Sequence, residues 1–202
     1  MLLLITGASG VGKTMLRRLV QADFADVLDA AELVEIAGPP EWSLRWRHRA
    51  VEQVVQHALR AQHVGRHVLL CGDPVPPGEV YAAPSADALG GVAVCLLDAT
   101  EDAQRHRLAG RGDDPTLIPP HVAFATWMRA HVADPTHHPE VIAHGGCERM
   151  QWDRWLQRDA HSCPRSHDVI TRRTAPRSRW PHPPPPGSGA FSIRQRRHGG
   201  GM

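Results

Sequence analysis

At 202 residues, 42% of them hydrophobic, the chain has apolar material for one core of ordinary size. Its leading apolar run is too short for a secretory leader, no stretch is long enough to cross a membrane, and four cysteines without paired spacing set aside a disulfide framework or a zinc site and suit a reducing cytoplasm. The formal charge of +2 hides two unlike parts: residues 1–163 hold 15 basic and 20 acidic residues, net −5, while 164–202 hold eight arginines and one acid, net +7.

Residues 1–6 read as a fully buried strand and 13–22 as a helix. Residues 25–28 read as a second short strand closing at Asp29. From 42 to 62 the period is helical, with Trp46, Val51, Val54, Val55, Ala58 and Leu59 on one broad face, and Gly65 stops the helix. Residues 67–71 form a buried strand ending in Gly72-Asp73-Pro74, and 74–91 a proline- and glycine-rich loop with a short helix. A further buried strand spans 92–97 and ends at Asp98. Helices follow at 101–109 and 122–131, with a loop over 110–120 between them and a last helix within 148–159.

Buried strands alternating with helices predict an α/β fold: three layers, α/β/α, around a mostly parallel sheet, covering about residues 1–160 as one domain. Such sheets take ligands outside the carboxyl ends of their strands, where Thr6–Gly7, Asp29, Asp73 and Asp98 are expected. Residues 161–202, rich in arginine, proline and glycine, lack the apolar surface to offset ordering and read as a disordered, solvated tail with no specific nucleic-acid role. Within this region only residues 167–171 have the apolar character of a further strand.

The first strand breaks into Gly7-Ala8-Ser9-Gly10-Val11-Gly12-Lys13-Thr14, which fits G-x-x-x-x-G-K-[ST] at every fixed position. Glycines let main-chain N–H groups approach phosphate oxygens, and the following helix turns its positive end toward the same anion. Lys13 adds a point charge and Thr14 a hydroxyl for Mg²⁺. Lys13 is the one lysine beside 22 arginines, a composition in which a retained lysine points to its chemistry.

The strand–loop–helix context and this motif resemble the P-loop NTPase superfamily, and within it the small nucleotide and small-molecule kinases such as shikimate, gluconate and adenylate kinases and the chloramphenicol phosphotransferases. The resemblance spans roughly residues 1–115. It implies ATP and Mg²⁺ as cofactors and an unidentified small-molecule acceptor as partner; the apolar-run lengths and the cysteines, read by themselves, point to no membrane contact and a cytoplasmic setting. The expected function is transfer of the γ-phosphate; the alternative is a nucleotide-binding regulatory protein with slow hydrolysis.

Further roles come from the resemblance. Asp29 is expected to bind or deprotonate the acceptor hydroxyl, unless it merely caps a strand end. Asp73, after an apolar strand, is expected to support Mg²⁺ with Thr14. Arg107 and Arg111, four apart on one helix face in an R-L-x-x-R pattern, are expected over the transferring phosphates; the other reading is a solvated helix laced with ion pairs. Trp42, Arg45, Trp46, Arg47 and Arg49 fall where such kinases place an acceptor helix, although tryptophans at this spacing more often describe core with a solvated arginine face. Glu79 and Tyr81 are candidate acceptor contacts in the proline-rich loop. His131, His137, His138 and His144 match no zinc spacing and read as surface residues.

Overall fold

The computed structural model describes residues 1–41 and 43–157 and the backbone of residues 172–173. In chain order the elements are β1 (Leu2–Thr6), α1 (Lys13–Asp23), β2 (Leu28–Ala31), α2 (Leu33–Ala37), α3 (Leu44–His63), β3 (His67–Cys71), α4 (Pro77–Ala82), β4 (Val92–Asp98), α5 (Glu101–Arg111), α6 (Ile118–Ala133), α7 (Glu140–Ala143), α8 (Asp153–Leu156) and β5 (Arg172–Arg173). Among the described residues the strands form one parallel sheet in the order β2-β3-β1-β4-β5. The fold is the expected α/β arrangement with helices on both faces.

The two faces follow from strand alternation. Leu2 and Leu4 of β1, with Val68, Leu70, Val92 and Val94, meet Val51, Val54, Val55 and Ala58 of α3. Each fully buried valine or leucine there contributes about 1.5–3 kcal/mol of burial. The odd positions Leu3 and Ile5, with Leu69, Cys71 and Leu97, meet Leu16 and Val20 of α1, Ala103 of α5 and Ala125 of α6. Further along α6, Met128 and Val132 pack on Leu96. Ser43 starts α3 by accepting from the Trp46 N–H at 3.1 Å, and Gly65, at φ +75°, ends it with the turn that leads into β3.

Four boundaries differ from the sequence reading. Residues 25–27 are a turn closed by Val27 and Leu28 N–H bonds to the Phe24 carbonyl, so β2 starts at Leu28 and runs on through two alanines. An edge strand of this kind needs few large residues, which is why its end was not legible. Helix α6 starts four residues early, because Pro119 and Pro120 sit in its first turn, where a missing N–H costs nothing. The last helix is a single turn, α8. Strand β5 lies directly after residues 167–171, which, like Trp42 and the rest of the expected tail, fall outside the described residues. No helix among the described residues is long and apolar enough to cross a membrane.

Candidate functional site

Strand β1 lies between β3 and β4; the chain leaves β1 for β2 on one side and leaves the adjacent β3 for β4 on the other, and the turn 7–12 emerges at this reversal on the carboxyl edge. The turn requires its glycines. Gly7 has φ +143°, and a Cβ there would lie 2.3 Å from the Leu97 carbonyl oxygen. Gly12, at φ +107°, precedes α1 directly. The Thr6 hydroxyl donates to the Val75 carbonyl at 2.5 Å, drawing the segment after β3 across the end of β1.

Lys13 is buried, and its Nζ donates to the carbonyls of Gly7 at 2.7 Å and Ala8 at 2.9 Å. Burial pushes its pKa down to about 8, and the Arg111 guanidinium adds to the drop. Cys71, Asp73 and Glu32 oppose it. The Cys71 thiol is itself pushed up to about 11 by burial, hence neutral at pH 7, which leaves Asp73 as the leading anion beside the ammonium. Thr14, next in α1, is exposed.

Asp73 accepts the Leu33 N–H on Oδ2 at 2.5 Å, at the start of α2. Residue 32 stands beside it. A Cβ on Gly72, which has φ +130°, would lie 2.6 Å from Glu32 Oε1, so the turn after β3 is pressed against this carboxylate. Glu32 caps α2 reciprocally with Glu35 and pairs with Arg17 at 3.1 Å. The Thr14 hydroxyl and the Asp73 carboxylate supply only hard oxygen donors, which fits Mg²⁺ in its preferred chemistry.

Helix α5 is fastened to the glycine turn. Gln104, 1% exposed, donates from Nε2 to the Ser9 carbonyl at 2.8 Å and to His121 of α6 at 3.3 Å. Arg107 donates to the carbonyls of Gly10 at 3.2 Å and Val11 at 3.4 Å. Leu108 fills the space beside Gly10, where a Cβ would meet its Cγ at 3.1 Å. Arg111, at the end of the helix, is exposed and pairs with Asp113 two residues on, Nε to Oδ1 at 2.7 Å.

The structure therefore brings together Gly7 through Thr14, Asp73, Arg107 and Arg111, and corrects Asp29. Asp29 is the second residue of β2, in register with Val68 and hence level with Leu2 at the amino edge of the sheet. Four residues of strand, ~13 Å, separate that level from the glycine turn. Its carboxylate is taken by Arg66 at 2.5 Å, which holds its pKa below the usual range. The acid at the carboxyl end of β2 is Glu32, missed because the alanines before it do not read as strand. Gln104 was also missed: a glutamine three residues before Arg107 carries no signal without the fold.

The acceptor candidates divide. Arg45 and Arg49 are exposed, and Arg49 pairs with Glu41. Arg47 points to α4, donating from Nε and Nη2 to Glu79 Oε1 at 2.8 and 2.5 Å. Glu79 is wholly buried, and desolvation pushes its carboxyl up to about 7 against the pull of Arg47. The adjacent His48 is buried too. It accepts the Cys147 N–H on Nδ1 at 3.0 Å and donates from Nε2 to the Ile142 carbonyl at 2.9 Å, a pairing that fixes the neutral ring. Burial correspondingly lowers its pKa. Tyr81 packs against Trp155 with the rings tilted, centroids 5.6 Å apart. His131 is not a surface residue: it is buried between Trp127 and Trp155, with ring centroids at 4.6 and 4.7 Å.

No family model matches the chain, and no curated protein matches it. Among solved structures it is similar to an unliganded sugar kinase from Janibacter sp. HTCC2649, at 16% identity and a TM-score of 0.43, over 61% of this chain and 76% of that one.

Proposed function

We propose that the chain is an ATP- and Mg²⁺-dependent phosphotransferase acting on a small-molecule acceptor. The observation that carries this reading is the turn at the sheet reversal. There, one buried ammonium group stands beside a run of main-chain N–H groups. Among the described residues nothing accepts a hydrogen bond from the N–H groups of Ser9, Gly10 or Gly12. Three such donors beside Lys13 and the amino end of α1 make a nest for a polyphosphate.

In this reading Lys13 and the loop amides bind the phosphates, and Thr14 and Asp73 would hold Mg²⁺, whose charge offsets that of the phosphates. Arg111, one ion pair away from release, turns toward the transferred group. Glu32 takes the role expected of Asp29 and orients the acceptor hydroxyl. Arg47, braced by Glu79, lines the acceptor side. Positioning and charge stabilisation carry the rate, as phosphoryl transfer asks little covalent chemistry of a protein.

The test has two stages. Mg-ATP should raise the thermal midpoint of the protein in a concentration-dependent way. A metabolite panel should then reveal a compound that accelerates ATP consumption, with Glu32→Gln lowering that turnover while leaving ATP binding in place. ATP hydrolysis indifferent to every acceptor would favour a regulatory nucleotide-binding protein instead.

A further inference from the structure

The carbonyls of the glycine turn are held one by one. Lys13 takes those of Gly7 and Ala8, Gln104 that of Ser9, and Arg107 those of Gly10 and Val11. A trans peptide is planar, and its C=O and N–H point in opposite directions. No peptide among the described residues is cis. Drawing the Ser9 carbonyl toward α5 therefore turns the Gly10 N–H away from α5, and the same holds for Val11 and Gly12 behind the next two carbonyls. Helix α5 thus sets the direction of three consecutive donors.

We infer that Gln104 is a positioning residue for phosphate binding: from the buried face of α5 it fixes the Ser9–Gly10 peptide so that the nest is formed before any ligand arrives. Gln104 suits this task better than a charged residue would. Its amide offers two donors, and both are used, one on the turn and one on the His121 carbonyl in α6. The side chain is buried, so neither bond competes with water. The bond to α6 also ties the orientation of the turn to a second helix, so that α5 cannot tilt without changing the nest. Arg107 has the same task for the next two peptides. Its guanidinium is engaged by carbonyls, which moves it from covering the transferred group to shaping what binds it.

This inference rests on the phosphotransferase reading, and the experiment separates the two. Binding of Mg-ATP and of inorganic tripolyphosphate is measured by calorimetry for the unaltered protein, Gln104→Met and Gln104→Glu. Methionine keeps the volume and removes both donors; affinity for both probes should fall about 10-fold, the worth of one lost bond that leaves a buried carbonyl unpaired. Glutamate supplies a donor only when protonated. Relative to the unaltered protein, its affinity should be weak at pH 8 and recover as pH falls, a pattern that loss of packing does not produce. If the unaltered protein binds both probes and the two variants bind equally well at every pH, the positioning role is wrong while the phosphate site stands. If the unaltered protein ignores both probes, the phosphotransferase reading falls and takes this inference with it. Should Gln104→Met not fold, the pH series of Gln104→Glu decides alone: recovery supports the role, and an unchanging ratio overturns it.

Discussion

Two regions of the molecule draw polar and charged side chains inward, and they use them in opposite ways. At the glycine turn, Lys13, Gln104 and Arg107 hold main-chain carbonyls, and the N–H groups of Ser9, Gly10 and Gly12 have no acceptor among the described residues. Between α3, α4 and the 140–157 segment, Arg47, Glu79 and His48 hold one another and nearby backbone, and Trp155 and His131 close the space around them. Under the proposed function the first arrangement is completed by an anion; the second is nearly complete in itself. A buried polar group is thus no marker of a binding site until its unpaired partner atoms are traced to a crevice.

The largest effect that sharpens this contrast belongs to Glu79. Its folded pKa, about 7, lies above the ordinary 4.5, so between those values the folded state holds a proton the unfolded state has released. Stability from this group is present below pH 4.5 and lost as pH rises to about 7, by about 3 kcal/mol for a shift of this size. Gln keeps an acceptor for Arg47 and does not titrate, so urea unfolding of Glu79→Gln should show a flatter pH dependence over that window and greater stability above it. Equal slopes for the two proteins would mean that Glu79 is hydrated and the closed region is open.

Next comes Lys13→Met, which removes the ammonium and keeps the stem. Tripolyphosphate affinity should drop roughly 100-fold, as expected when a charge-assisted contact to phosphate disappears; undiminished binding in calorimetry would break the open side of the comparison. A smaller effect follows from the Lys13 pKa of about 8. Phosphate binding selects the charged amine, so above pH 8 the dissociation constant should rise by up to about tenfold per pH unit, and below it should be flat in this term. The smallest effect is Asp29→Ala. It removes a half-exposed ion pair at the amino edge, and both nucleotide binding and turnover should match the unaltered protein, with the thermal midpoint within about 3 °C. Loss of turnover would restore Asp29 as an acceptor group.

What the sequence made legible was whatever a single short stretch contains. Strands β1, β3 and β4 stand out as unbroken apolar runs, and the glycine turn as residue types at fixed spacing, since each of those glycines answers a local backbone demand. Asp29 and Glu32 show where that reading stops. Both are acids near the end of a weak edge strand, and only the register Asp29↔Val68 shows which one reaches the carboxyl edge. Gln104 and Ser9 are 95 positions apart; no periodicity joins them. Glu79 and Arg47 pair across two helices whose relation exists only after the sheet has formed.

The ring of His48 holds both Ile142 and Cys147, and Gly146 lies against it so closely that a Cβ there would sit 2.1 Å from Cε1. These contacts dock the stretch after α6 against α3 through Ile142 and Cys147, with Ile142 buried and Trp155 fully enclosed as its far anchor. A polypeptide ended near position 139 should therefore expose the α3–α4 face and aggregate, however intact its glycine turn.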